Sequence, residues 1–96
     1  MTPHPHPDVI VSAVAEVAKL PADQVRRGKR RTHVSARRAV IRLMRDYRGM
    51  SYWEIAETLG GMSHASILAA NRKFDDDVFA LTHADAALRL LGITQE

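Results

Sequence analysis

The sequence predicts an all-α fold, a compact bundle of about five to six short helices that contains a helix-turn-helix. Three observations lead to this prediction. The chain of 96 residues has the length of one domain. Its apolar residues, 46% of the total, recur mostly at helical spacing. The aromatic residues are only one Trp, two Tyr and two Phe, so the core must consist mainly of Ala, Val, Ile and Leu, which suit closely packed short helices.

Several classes of protein are excluded by composition. The chain has no cysteine, which excludes thiol catalysis, a disulfide framework and cysteine-based zinc sites. No apolar run approaches the ~18 residues of a membrane span, and the N-terminus does not read as a signal peptide. We therefore expect a cytoplasmic protein with no membrane association, no cofactor and no metal site.

The N-terminal residues 1–7 are predicted to form a disordered tail, because three prolines alternate with histidines and favour extended backbone. His4 and His6 have the spacing of a metal pair but no third ligand, so we interpret them as inert. Residues 8–96 are then expected to form a single helical domain.

Two helices are predicted next. The first starts at Asp8 as its N-cap and runs to Lys19, followed by an interruption at Leu20 and Pro21. Pro21 suits the start of a short second helix over residues 22–25. The apolar residues of the first helix recur at the i, i+3, i+4 spacing of an amphipathic helix: Val9, Ile10, Ala13, Val14, Val17 and Ala18.

A basic loop and a third helix are predicted after this. The polar residues 29–33 follow Gly28, which can adopt a positive φ, so we expect a loop over residues 28–33. Ser35 is the expected N-cap of a helix that runs to Arg48 and ends at Gly49. Its apolar stripe consists of Val34, Ala39, Val40, Leu43, Met44 and Tyr47.

Residues 51–74 carry the pattern of a helix-turn-helix. Ser51 with Glu54 three positions later is a capping box, which predicts the start of a fourth helix. Gly60-Gly61 ends that helix within two turns, and Ser63 can cap a fifth. Two helices joined by a short glycine-containing turn fit the helix-turn-helix geometry. The fifth helix opens with small polar residues and a histidine, as a recognition helix requires.

The C-terminal part is predicted to contain an acidic break and a last helix. The three consecutive aspartates at residues 75–77 are interpreted as a bend and not as a metal site, because consecutive carboxylates point in different directions. Thr82 is the expected N-cap of a helix from His83 to Leu91, closed by Gly92.

The positive charge is concentrated in one segment. Ten of the 14 basic residues lie between positions 26 and 48 with one acid, Asp46, giving that segment a formal charge of +9. The remainder, with four bases and ten acids, carries −6. Nine of the ten bases are arginines, whose planar guanidinium suits phosphates and guanine edges. This segregation favours a nucleic-acid partner over the alternative, a solvated basic helix face.

Three segments resemble a known family. Gly28 to Thr32 looks like that family's basic loop, Arg37 sits where the family has a helix-start arginine, and Ser51 to Lys73 looks like its signature helix-turn-helix. The matching residues in the last segment are Glu54-Ile55, Gly60-Gly61, His64, Leu68 and Arg72-Lys73. From about Val9 to Phe74, some two-thirds of the chain, the sequence resembles the C-terminal DNA-binding domain of the bacterial replication initiator DnaA.

This resemblance implies a division of the DNA contacts. In the family, the basic loop and the helix-start arginine enter the minor groove, and the recognition helix reads the adjacent major groove. The minor-groove or phosphate contacts here would be Lys29, Arg30, Arg31 and Arg37. The major-groove face would be Ser63, His64, Ala65 and Ser66. Further contacts are expected from Thr32, Arg38, Ser51, Met62, Arg72 and Lys73.

The sequence departs from the family pattern at the reading edge. The family's Gly-Gly-Arg-Asp-His-Thr-Thr continues after the two glycines as Met62, Ser63, His64, Ala65 and Ser66. Arg38 replaces a Gln, Ala36 replaces a Pro, and the basic loop is one residue shorter. Each altered base contact changes preference by about 1–3 kcal/mol. We therefore predict that the protein does not prefer the usual initiator box.

The leading hypothesis is a sequence-specific double-stranded DNA binder that regulates transcription or replication initiation, of bacterial or phage origin. No phosphate-binding glycine-rich loop is present, so we do not expect a complete initiator. The chain is then either an excised domain or, as we favour, a free-standing relative. A homodimer through the last helix and an unknown protein partner stay open. The alternative is a helical adaptor whose arginines bind an acidic partner.

RNA binding and enzymatic activity are the less favoured interpretations. RNA recognition usually requires exposed stacking aromatics, and of those here only Tyr52 and Trp53, at a helix start, are placed to be accessible. A nucleophile pair of His64 with Ser63 or Ser66 would lack an orienting acid and an oxyanion site. We therefore expect no catalytic residues.

Overall fold

The computed structural model describes residues 6–93. Within them the chain forms six α-helices and one 3₁₀ turn, so the predicted all-α bundle with a helix-turn-helix is confirmed. The elements are α1 (Pro7–Ala18), α2 (Ala22–Arg27), α3 (Arg31–Arg48), α4 (Tyr52–Thr58), α5 (His64–Lys73), the 3₁₀ turn (Phe74–Asp76) and α6 (Val78–Leu90). No helix within residues 6–93 is both long and apolar enough to cross a membrane.

The 18-residue helix α3 is the central element of the bundle. It packs against α1 and α6, against α2 near its start, and against α4 and α5. The side chains of Val40, Ile41 and Met44 are fully buried along it, and each such burial stabilises the fold by about 1.5–3 kcal/mol. The helix-turn-helix packs on α3, and α3 also carries many of the basic residues. The core therefore fixes the position of the two relative to each other.

The first helix begins earlier than predicted. Pro7 is its first residue and His6 its N-cap, with His6 Nδ1 accepting from the Asp8 amide at 3.1 Å. The prediction of Asp8 as N-cap was wrong, since a proline is well suited to the first helical position. The Asp8 carboxylate instead accepts from Arg26 at 2.9 Å. The rest of the predicted tail, residues 1–5 with His4, lies outside the described residues.

The third helix also begins earlier, at Arg31. The predicted loop over 28–33 is therefore wrong in its second half, and only residues 28–30 connect α2 to α3. Ser35 is not a cap: it is buried, and its hydroxyl donates to Asp77 at 2.8 Å. Its hydrogen bond goes to a residue 42 positions away, which local sequence cannot indicate. Arg31 and Thr32 consequently project from the first turn of a helix.

The last helix begins at Val78, so the predicted cap at Thr82 was wrong. Asp77 is the N-cap, because its Oδ1 accepts from the Ala80 amide at 3.0 Å. The hydroxyl of Thr82 donates to the carbonyl of Val78 at 2.8 Å inside the helix. Residues 75–77 therefore include the cap of α6, and no group of three or more metal-ligating side chains occurs in the described part of the chain.

Candidate nucleic-acid interface

The helix-turn-helix forms as the sequence predicts. Ser51 Oγ accepts from the Glu54 amide at 3.2 Å, and the Ser51 amide donates to Glu54 Oε1 at 2.9 Å, which completes the capping box. Hydrogen bonding to the Glu54 carboxylate by the Ser51 backbone amide, the largest cause, and by the Ser51 side chain holds the pKa of Glu54 below its ordinary value. Gly60 and Gly61 then adopt φ of 89° and 105°, a region that strongly favours glycine, and so end α4 and turn the chain.

The opening turn of α5 is accessible. Ser63 is its N-cap, with Oγ accepting from the Ser66 amide at 3.0 Å. Ser63, Ala65 and Ser66 are exposed and His64 is half-buried, whereas Ile67 is fully buried. The helix therefore presents short side chains at its N-terminus and anchors itself to the core one turn later, as a recognition helix must.

His64 lies between two aromatic rings. It stacks on Trp53, with centroids 4.9 Å apart and an interplanar angle of 29°. It meets Tyr52 edge-on, at 5.6 Å and 82°. Trp53 is 69% exposed, and sequence reasoning did not place it among the DNA contacts. The available signal was an accessible aromatic pair at the start of α4.

Two arginines from the basic segment hold the helix-turn-helix on α3. Arg42 donates through Nε to Asn71 Oδ1 at 2.8 Å and lies 4.4 Å over the Phe74 ring. Asn71 Nδ2 donates in turn to the Tyr52 hydroxyl at 3.2 Å. Arg45 lies 4.5 Å over the Tyr52 ring. Part of the positive charge therefore serves the packing of α4 and α5.

Arg37 ties α3 to the C-terminal end of α2. Its Nε donates to the carbonyls of Val25 and Arg26, both at 2.9 Å, and Nη2 donates to Gly28 at 2.6 Å. Partial burial lowers the pKa of Arg37, though not enough to neutralise a guanidinium. Arg37, which was expected to enter the minor groove, therefore fixes the direction in which the chain leaves α2. We call the residues that follow, 28–30 between α2 and α3, the basic connection.

Arg38 is directed to α6. Its Nη1 donates to Asp77 Oδ2 at 2.8 Å, so an expected DNA contact is paired with a buried carboxylate. The remaining expected basic contacts are exposed on the surface: Lys29, Arg30, Arg31, Arg72 and Lys73. Thr32 is exposed with them, whereas Met62 and Ser51 are half-buried. The structure thus separates the basic residues into a packing set and an exposed set.

The basic segment and the recognition helix lie on the same side of the molecule. One cleft is lined by Arg26, Arg27 and Arg37 on one wall and by residues 59–62 of the turn on the other. An adjoining cleft places Arg37 and Arg38 opposite Met62, Ser66 and Lys73. We call this shared surface the basic face. Of the residues predicted as minor-groove or phosphate contacts, Arg37 lines both clefts, whereas Lys29, Arg30 and Arg31 line neither.

Gly28 is required by close packing and not by a positive φ. Its φ is −62°, but a Cβ there would overlap the imidazole of His33, which is buried in the first turn of α3. The same Cβ would lie 2.5 Å from the carbonyl oxygen of Gln24. The close approach of α2 and α3 therefore depends on a residue without a side chain.

Gly28→Ala should lower the free energy of unfolding by about 1–3 kcal/mol, because the clash must displace His33 or the connection. Urea denaturation measures this change. Gly49→Ala is the matched control: its Cβ would meet open space, and its φ of 62° alone costs about 1–2 kcal/mol. A loss at Gly28 clearly below that at Gly49 would contradict the packing described.

Comparison with known proteins gives the family. The model described as the bacterial dnaA protein helix-turn-helix matches residues 7–74. The chain belongs to this family. It is accordingly a DNA-binding helix-turn-helix domain of the DnaA type. The match to the DnaA family ends at Phe74, so α6 lies beyond it. No solved structure matches the chain.

Proposed function

We propose that this DnaA-type domain binds double-stranded DNA sequence-specifically, with the opening turn of α5 in the major groove and the basic connection against the adjacent minor groove. One observation carries the proposal: Arg37 of α3 and Met62 in the turn after α4 line the same two adjoining clefts. Two elements on one face can contact adjacent grooves of one duplex, whereas elements on opposite faces cannot.

The exposed cations supply the sequence-independent part of the affinity. Lys29, Arg30 and Arg31 lie at the start of α3, and Arg72 and Lys73 at the end of α5. Each contact to a phosphate releases condensed counterions and adds to the salt dependence of binding. Arginines are also drawn to the negative potential of a narrow minor groove. Arg37 and Arg38 support this surface by positioning it.

The recognition turn supplies the sequence preference. His64 can donate to or accept from a base edge, and the Ala65 methyl can contact a thymine methyl. Ser63 and Ser66 offer hydroxyls, although the Ser63 hydroxyl also donates to Ser66 Oγ at 2.8 Å. Because Met62 and its neighbours differ from the family pattern, the preferred site is not the usual initiator box.

We further propose that the protein is a cytoplasmic, nucleoid-associated regulator of transcription or replication initiation, in a bacterium or a phage. Selection of binding sites from random duplexes tests this. A consensus bound with salt-sensitive affinity supports the proposal, and a palindromic consensus identifies a homodimer. An absence of binding to any duplex overturns it.

The alternative function is an adaptor for an acidic protein partner. Val78 and Phe79 favour it, since they are 71% and 66% exposed beside Arg31 and Lys73 in a third cleft. Exposed apolar residues next to cations fit an acidic, partly apolar peptide better than a phosphate backbone. If the protein binds no duplex DNA in a gel shift, that result would favour the adaptor function.

His64→Ala should relax the sequence preference by about five- to tenfold while leaving most of the salt-dependent affinity, because a base contact is lost and no phosphate contact is. The measurement is the Kd for the selected duplex and for a scrambled duplex, each at several salt concentrations. Lys29→Ala is the control and should weaken both duplexes equally. A His64→Ala protein with unchanged preference would place base reading elsewhere.

A further inference from the structure

Trp53 is placed to control the histidine at the start of the recognition helix. It lies on α4, while His64 is the first residue of α5, and their stacked rings bridge the turn between the two helices. Trp53 is 69% exposed although it is a large aromatic residue. A side chain this exposed contributes little to packing within the bundle, so its position beside His64 needs another explanation.

The imidazole is confined on a second side by a ring that is itself fixed. Tyr52 meets His64 edge-on, and its hydroxyl accepts from Asn71 Nδ2 at 3.2 Å. The guanidinium of Arg45 covers the Tyr52 ring at 4.5 Å. His64 is therefore held between the anchored Tyr52 ring and the Trp53 ring, which among the described residues has its one ring contact with the imidazole.

We propose that Trp53 is a positioning residue for base recognition, which fixes the plane of the His64 imidazole before DNA arrives. This inference rests on the proposed function and deepens it. A single imidazole hydrogen bond discriminates between bases only when its direction is fixed, because a mobile ring can adapt to the wrong base. Ordering the ring in the unbound protein also removes an entropic penalty from the binding step.

A positioning role differs from a direct DNA contact by Trp53. If Trp53 acts through His64, its removal matters only while His64 is present. If Trp53 contacts DNA by itself, its removal weakens binding in either background. A double-mutant cycle separates the two roles, because it measures the coupling between the residues.

The experiment uses the whole chain as wild type, Trp53→Ala, Trp53→Phe, His64→Ala and the double variant Trp53→Ala with His64→Ala. The measured quantity is the ratio of Kd values for the selected duplex and for one altered at the base pair that His64→Ala ceases to discriminate. We expect Trp53→Ala to lower this ratio about fivefold and Trp53→Phe, which keeps a stacking ring, by less than about twofold. In the His64→Ala background, Trp53→Ala should change neither this ratio nor the Kd for the selected duplex, whereas a direct contact by Trp53 would raise that Kd.

A second measurement needs no DNA. The ring current of Trp53 shifts the His64 imidazole protons upfield in the NMR spectrum, so these resonances should move downfield in Trp53→Ala and less in Trp53→Phe. Unchanged resonances would show that the rings do not stack in solution and would overturn the inference.

The outcomes distinguish this inference from the proposed function. A wild-type protein without preference among duplexes overturns both. Preference that survives Trp53→Ala unchanged overturns only the positioning role. A loss of affinity for the selected duplex that is equally large in the His64→Ala background also overturns only the positioning role.

Discussion

Alanine at both Arg30 and Arg31 should weaken binding to duplex DNA of any sequence by about tenfold per arginine, or about a hundredfold in the pair, since each removes a charge-assisted contact to a phosphate or a groove edge. Arg30 is the N-cap and Arg31 the first residue of α3, and both side chains are exposed. The slope of log K against log salt should become shallower by about one unit per arginine. Fluorescence anisotropy at four or five salt concentrations gives both quantities.

The matched control for this prediction is Arg89→Ala. Arg89 is an exposed arginine on α6, paired with Asp85 at 2.8 Å, and it lies outside the basic segment of residues 26–48. The net charge changes by the same amount per substitution, so a long-range charge effect would appear equally in the control. An unchanged salt slope in the double variant would show that DNA binds on another surface.

Asp77→Ala should lower the free energy of unfolding by about 3 kcal/mol, the sum of a lost N-cap and lost charge-assisted hydrogen bonds. The Asp77 side chain is 8% exposed and accepts from the Ala80 amide, from Ser35 at 2.8 Å and from Arg38 at 2.8 Å. Its removal leaves the Ser35 hydroxyl buried without its partner. Urea or thermal denaturation measures the change.

Asp76→Ala provides the control for the cap. Asp76 is the exposed neighbour of Asp77, and its removal should change the free energy of unfolding by less than about 0.5 kcal/mol. Equal losses at the two positions would mean that the effect comes from net charge and not from the cap.

The stability contributed by Asp77 should depend on pH in one direction. Burial alone would raise the pKa of this carboxyl. The hydrogen bonds from Ala80, Ser35 and Arg38, with the charge of Arg38, outweigh that effect and hold the pKa below its ordinary value. A carboxyl with a depressed pKa in the folded state stabilises fully above its unfolded value, about pH 4, and loses this as the pH falls through the folded value. The difference between wild type and Asp77→Ala should therefore shrink as the pH falls below about pH 4.

The sequence predicted well those features that depend on neighbouring residues. The capping box of Ser51 and Glu54 and the turn at Gly60 and Gly61 form as expected, because each is completed within three or four positions. The start of α3 was misplaced for the opposite reason. It depends on the packing of His33 against Gly28 and on the hydrogen bond from Ser35 to a distant aspartate.

The tasks of the individual arginines could not be read from the sequence. The pattern predicts that the segment is basic, and it is, but Arg42 binds Asn71, which is 29 positions away. Arg37 binds backbone carbonyls that any sequence would supply. Only the exposed arginines can contact a phosphate without losing a packing contact. The stack of Trp53 on His64 was missed similarly, since it needs the geometry of the turn.

Helix α6 shows that the folded bundle extends beyond the segment that matches the family. The family match stops at Phe74, yet Ala80, Ala84, Ala87 and Leu88 are buried against α1 and α3. A chain ending at the family boundary would expose the surfaces of α1 and α3 that these residues cover, and it would lose the Asp77 carboxylate that accepts from Ser35 and Arg38. Helix α3, which carries the proposed DNA surface, is therefore supported by a segment that the family match does not include.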